Sequence, residues 1–166
     1  MKKNEQQFTS PKQFLKTISI IYYAILLGPL GFLAMQYFQV TETKLELTST
    51  KNQFQYIILI LAVMGYYFGN RIYNYKLKEL KNKKTLLEKL AYFQTGFIIK
   101  IALLEGPALL GIVAFSLNGN LFFLIIAGIL LLIITLQKPT KQKVEAVLNL
   151  TMKQRSEFNK PNEILQ

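Results

Sequence analysis

One carboxylate in this chain sits where water is not expected. Glu105 interrupts an apolar run (TGFIIKIALLEGPALLGIVAFS, residues 95–116) about ten residues from its start, or roughly 15 Å in at 1.5 Å per residue. In a bilayer that depth is close to the midplane, where an ionised carboxylate costs roughly 2.5–3.5 kcal/mol on insertion scales, so an ionisable residue there is a functional candidate by default. Three roles are open to it. It can carry a proton or cation, form a polar contact that holds helices together, or touch a ligand or lipid. Ala102 and Ala108, three residues to either side, share its helix face and are small, which leaves room for a partner helix, a water or an ion. Arg71, Asn70, Tyr66 and Tyr67, in the preceding apolar stretch, could reach it if the two stretches pack together. Lys100 is five residues earlier, about 140° around the helix, and near enough to the cytoplasmic end to snorkel.

Little other chemistry is available. The 166 residues include 20 Lys plus Arg and nine Glu, for a net charge of +11, with no Asp, His, Cys or Trp. Without His and Cys there are no zinc, haem or iron–sulfur ligands of the usual kinds, no disulfides, and no Ser-His or Cys-His nucleophile pair. No cofactor, no metal site and no enzymatic activity are expected, and the chain carries no cysteine to report on redox compartment.

The elements that must position Glu105 are set by apolar blocks with the charges sorted between them. A spanning helix needs roughly 20 mainly apolar residues. Four stretches qualify, at about 18–38, 54–73, 95–116 and 121–137. The first is read as a retained helix and not a cleaved signal, because its apolar run exceeds 7–15 residues and no A-x-A site follows. Seventeen of the cations fall before the first stretch, between the second and third (with Arg71 at the edge of that connection), or after the fourth; two, Lys44 and Lys51, fall on the other side. Positive-inside bias therefore places both termini and the middle connection in the cytoplasm of a bacterial inner membrane. Tyr22, Tyr23, Tyr66, Tyr67, Tyr73, Tyr75 and Tyr92 fit a cytoplasmic aromatic belt, and Tyr37, Phe38, Phe54, Tyr56, Phe115, Phe122 and Phe123 the opposite one.

The expected organisation is a cytoplasmic N-terminal segment (1–16), a four-helix membrane domain (17–137) and a basic amphipathic cytoplasmic tail (138–166). The first and third stretches look duplicated. At an offset of 78, Ile20, Ile21, Ala24, Leu26, Gly28 and Pro29 match Ile98, Ile99, Ala102, Leu104, Gly106 and Pro107, while Leu27 stands opposite Glu105. The fold class that follows is an all-α four-transmembrane-helix bundle built from two tandem parallel hairpins. Pro29 and Pro107 are expected to kink their helices near mid-membrane. Small residues four apart (Ala24 and Gly28, Ala102 and Gly106, Gly65 and Gly69) predict close helix approach within a bundle or between copies. The fourth helix lacks such a pair and is expected to face lipid.

Three amphipathic pieces flank the spans: one opened by Ser10-Pro11 with Phe14, Leu15 and Ile18, one around Leu77, Leu80 and Leu87, and one in the tail with Val144, Val147 and Leu148. Their apolar stripes are expected in the acyl boundary and their Lys on anionic headgroups of the bilayer. Juxtamembrane Lys follows from topology alone, so a nucleic-acid partner is not expected. A second copy of the chain or another membrane protein is the expected protein partner. The Asn149-Leu150-Thr151 sequon falls on the cytoplasmic side and is discounted.

The run Ala102-Leu103-Leu104-Glu105-Gly106-Pro107-Ala108-Leu109-Leu110-Gly111-Ile112-Val113-Ala114-Phe115, with the Asn-Gly-Asn turn, the apolar helix after it and Lys138-Pro139-Thr140, resembles a family of small, uncharacterised four-helix bacterial membrane proteins. That resemblance covers roughly residues 15–150 and implies the fold and a membrane location without an activity. A lone mid-membrane Glu followed by G-x-x-x-x-G-I-V-A-F in a duplicated hairpin is also, more distantly, similar to the duplicated proteolipid subunits of rotary ATPases. By that resemblance Glu105 would be the ion-carrying carboxylate, although it stands on the first helix of its hairpin and theirs on the second. The first functional reading is thus a non-enzymatic structural, assembly or accessory membrane protein, and the second a proton- or ion-translocating subunit.

Overall fold

The computed structural model of the chain describes residues 10–47 and 54–162. Lys2, Lys3, Lys51 and the Thr-rich end of the first connection lie outside them. The described residues are almost wholly helical, with one isolated β-bridge and no strand among them. Three helices are long and apolar enough to cross a membrane: α1 (Pro11–Gln39), α2 (Phe54–Glu79) and α3 (Leu86–Asn118). α4 (Leu121–Leu136) has only 16 residues, about 24 Å at 1.5 Å per residue, and qualifies only together with α5 (Lys141–Leu148), from which it is bent by 76°. The break has a local cause. Pro139 has no N–H and disfavours helical geometry at Lys138, so α4 closes with Gln137 N–H donating to the Ile134 carbonyl at 3.0 Å and Lys138 N–H to the Thr135 carbonyl at 3.4 Å. α6 (Met152–Asn159) completes the order.

Side-chain caps set the other ends. Ser10 Oγ accepts from the Gln13 N–H, with Pro11 at the first helical position. Thr85 and Glu88 form a reciprocal capping box that starts α3 nine residues before its apolar stretch. α1 likewise begins at Pro11, so the expected separate N-terminal piece is the first turns of α1, and Phe14 and Ile18 lie buried in the core. At 33 residues, α3 is about 50 Å long and outreaches the roughly 30 Å of hydrocarbon. Both Pro29 and Pro107 are buried, and their helices run through them unbroken.

α3 is the hub. α1, α2 and α4 each pack on it, while α1 and α2 scarcely touch each other. α1 runs parallel to α3: the Phe14 and Phe93 rings lie 6.4 Å apart near one end, and Ser116 Oγ donates to Gln36 Oε1 near the other. α2 runs antiparallel, with Gly65 set against the Leu103 carbonyl and Gly69 against Lys100. α4 returns antiparallel, with Gly111 against Phe123 and Ala127. Of the three small-residue pairs, therefore, only Gly65 and Gly69 bring helices of this chain together. Gly28 and Gly106 have nothing within 4 Å of where a Cβ would stand, and Ala24 and Ala102 are exposed.

Burial corrects three further expectations. α4 is not the barest helix: Phe123, Ala127, Leu130, Leu131 and Ile134 are buried, whereas α2 leaves Phe54, Ile57, Ile60, Val63, Tyr67 and others exposed. The difference arises because α4 touches α3, α1 and α2, and α2 rests mainly on α3. Tyr22, Phe115 and Phe123 are core residues and not members of an aromatic belt. Finally, the tail folds back. Val144, Leu148 and Phe158 are buried in the same core as Leu86 and Leu90, so their apolar stripe faces protein and not the acyl boundary. Each such side chain contributes about 1.5–3 kcal/mol when buried, and the start of α3, which precedes its apolar stretch, is near enough to receive them.

Candidate functional site

Glu105 lies half-buried on α3 and has no hydrogen bond or ion pair with any described residue. Helix geometry explains why. α2 meets α3 along Lys100, Leu103 and Pro107, and Glu105 is two residues from each of the last two, about 160–200° around the helix. The partners proposed from sequence are therefore not brought to it. Asn70 donates to the Tyr66 carbonyl of its own helix at 3.0 Å. Tyr66 and Tyr67 are exposed, the latter edge-on to Phe68. Arg71 is exposed too, and with Asn74, Lys78 and Lys81 it lines a cavity of about 580 Å³ against α5. Ala108 is buried, while Ala102 and Gly106 lie exposed beside Glu105. Lys100 turns toward α2, its Nζ 4.8 Å from the centre of the Tyr73 ring. Among the described residues no three acidic side chains gather as a metal site would need.

Two polar nodes escape a sequence reading. At one end of the helices, Asn120 is fully buried and ties the segment after α1 to the start of α4. Its Oδ1 accepts from Glu46 N–H at 3.1 Å and from Phe122 N–H at 3.0 Å, and its Nδ2 donates to the Glu46 carbonyl at 3.0 Å. Lys44 pairs with the same turn through backbone bonds to Gly119 and Leu121. Gly119 has a φ of 63°, and a Cβ there would run into the Glu42 carbonyl. The turn thus requires glycine for both conformation and space. At the other end, Lys89 is buried and donates to Gln154 Oε1 at 2.9 Å and to the Asn149 carbonyl at 3.4 Å. Gln154 in turn donates to the Lys84 carbonyl at 3.0 Å, closing α5 and α6 onto the start of α3.

Cations cluster around the same end. A cavity of about 320 Å³ opens between α3, the α4–α5 bend and the end of α2, walled by Tyr73, Phe93 and Phe97 and edged by Lys100, Lys138 and Lys143. Lys143 Nζ donates to the Leu136 carbonyl at 3.1 Å, capping α4. Lys138 stands 5.4 Å from the centre of the Tyr23 ring, and its interaction with Tyr23 pushes its pKa up. Across the α2–α3 bend, Lys83 lies 4.0 Å over the Tyr92 ring and is likewise raised by that contact. A hydrogen bond from Lys76, at 3.2 Å, holds the Glu79 carboxyl below its ordinary range. Ion pairs among the described residues join Lys44 to Glu46, Lys76 to Glu79 and Arg155 to Glu145, and none of them involves Lys100, Lys138 or Lys143.

No family model, curated protein or solved structure matches this chain.

Proposed function

We propose that the chain is a small polytopic integral membrane protein of the bacterial inner membrane, non-enzymatic, with a structural, assembly or accessory role. The observation that carries this reading is the pairing of long apolar helices, bare along much of α2, with a one-sided cation distribution. In this reading the chain makes four passes, α4 being a short fourth span ended by Pro139, and both termini lie in the cytoplasm. The four spans form a bundle that arose as two tandem two-helix units. The parallel packing of α1 on α3 supports that origin: Phe14 meets Phe93 and Gln36 meets Ser116, pairings close to the offset of 78 that aligns the two copies. The Leu-Leu-Glu-Gly-Pro-Ala-Leu-Leu-Gly run is the signature by which we place the chain with the small four-helix membrane proteins it resembles. The basic end rests on anionic headgroups. The outward faces around Ala24 and Gly28, and around Ala102 and Gly106, leave room for close approach by a second copy or another membrane protein. Reporter fusions at both termini, together with an alkaline carbonate wash, test this reading. Ends found in opposite compartments, or a chain washed off its vesicles, would overturn it.

A second reading, ion translocation, is favoured by one observation: Glu105 has no polar partner among the described residues and borders the exposed Ala102 and Gly106. Proton uptake by vesicles carrying Glu105→Gln separates the two. Unchanged flux with intact assembly removes the transport role, and a ring in mild detergent favours it over a monomer or a mixed complex.

A further inference from the structure

Lys100, Lys138 and Lys143, none of them in an ion pair with a described residue, edge one cavity, and its walls are not those of a site for a small soluble anion. Tyr73 and Leu136 sit where the second and fourth apolar stretches end, so the cavity opens at the level of the cytoplasmic headgroups. Its floor is aromatic, from Tyr73, Phe93 and Phe97, and no carboxylate lines it. Lys138 and Lys143 stand on the polar side of the α4–α5 bend and are exposed, while Lys100 approaches from within the membrane stretch. Lys143 donates one N–H to the Leu136 carbonyl, and its ammonium keeps two more N–H groups to donate. Three cations converging over an apolar, aromatic wall suit an anion that carries hydrocarbon with it. About 320 Å³ accepts a headgroup and the beginning of its chains, the remainder staying in the bilayer beside the exposed face of α2.

We propose that this cavity is a discrete site for one anionic phospholipid, its phosphodiester held by Lys138 and Lys143 with Lys100 beneath, against the Tyr73–Phe93–Phe97 wall. The inference rests on the membrane reading above and adds to it: diffuse attraction of a basic face would hold many lipids weakly, whereas this geometry holds one.

The test uses the full chain in mixed vesicles of phosphatidylglycerol and phosphatidylcholine, extracted gently and weighed by native mass spectrometry. The wild type is expected to retain one phosphatidylglycerol. Lys138→Gln with Lys143→Gln should weaken retention about thirtyfold, that is about 2 kcal/mol at about 1.4 kcal/mol per tenfold, for two cations near the surface. Lys138→Arg with Lys143→Arg should restore it. Lys78→Gln with Lys81→Gln, which removes two cations from the neighbouring cavity, should leave it unchanged. Equal retention of phosphatidylcholine, unchanged retention in the first variant, or equal loss in the neighbouring-cavity variant would overturn the site. So would inorganic phosphate that displaces the lipid completely, since the pocket would then be one for free phosphate. A carbonate wash of the same vesicles keeps the two claims apart: a chain that stays embedded but retains no lipid refutes the site alone.

Discussion

Asn120 offers the sharpest test of how the structure is held together. Its side chain makes three hydrogen bonds and is fully buried. The bond to Phe122 N–H is the N-cap of α4, worth about 1 kcal/mol when such a cap is replaced by Ala. The two bonds to the Glu46 backbone contribute about 1 kcal/mol each. Asn120→Ala should therefore cost about 3 kcal/mol, and Asn120→Ser, which keeps a capping oxygen but is too short to span both Glu46 groups, about 2 kcal/mol. Asn118 is the control. Its amide donates only to the Ala114 carbonyl one turn back in its own helix, at 2.9 Å, so Asn118→Ala should cost under about 1 kcal/mol. Reversible unfolding in mixed detergent micelles gives the ranking, and protease sensitivity of residues 40–47 shows whether the strap is released. If Asn118→Ala proved as costly as Asn120→Ala, the turn itself and not its grip on the strap would be the source of stability.

Further perturbations test other joints of the structure. A Cβ on Gly65 would meet the Leu103 backbone carbonyl, which cannot swing aside, so Gly65→Ala should destabilise by about 1–3 kcal/mol; Gly28→Ala, in open space, should be neutral or stabilising by up to about 1 kcal/mol in the same assay. Lys89→Ala removes the charged donor that joins α3 to Gln154 and Asn149, and should cost about 2 kcal/mol and expose the 149–151 link to limited proteolysis. The Glu79 carboxyl titrates below its ordinary value of 4.5 because Lys76 hydrogen-bonds it. A lowered folded-state pKa means the contribution of this pair is present above 4.5 and lost as pH falls through the folded value. Lys76→Met should return the Glu79 titration, followed by NMR, toward 4.5.

What the sequence disclosed follows from which signals are one-dimensional. Apolar length located α1, α2 and α3, and Thr85, Glu88, Ser10 and Pro11 declared their helix starts through local chemistry that needs no tertiary knowledge. Pro139 carried the signal that shortened α4, although its 76° consequence did not. The misreadings share one cause: an apolar stripe states that it will be buried without stating against what. Val144 and Leu148 read equally well as facing acyl chains or protein, and the length of α3 beyond its apolar stretch decided for protein. The same ambiguity made Phe115 and Phe123 look like belt residues. For Glu105 the place along the apolar stretch was legible but the direction was not. Its distance from Arg71 depends on which face of α3 the glycines of α2 occupy, a fact of pairing and not of either helix alone.

The hub arrangement gives that direction a meaning. α3 spends one face on α2, through Lys100, Leu103 and Pro107, and an adjoining one on α1 and α4, through Phe93, Phe97, Ala108 and Gly111. Glu105 borders the sector that remains, with Ala102, Gly106, Leu110 and Val113, all exposed. Leu27, which the offset of 78 sets opposite Glu105, stands on α1 and is 60 % exposed. Both helices thus turn the aligned position away from the core, one with a hydrocarbon side chain and one with a carboxylate. Packing among the described residues calls for neither the leucine nor the acid. Glu105 makes no polar contact with any described residue, so the packing of the described residues gives no reason for a carboxylate on that face.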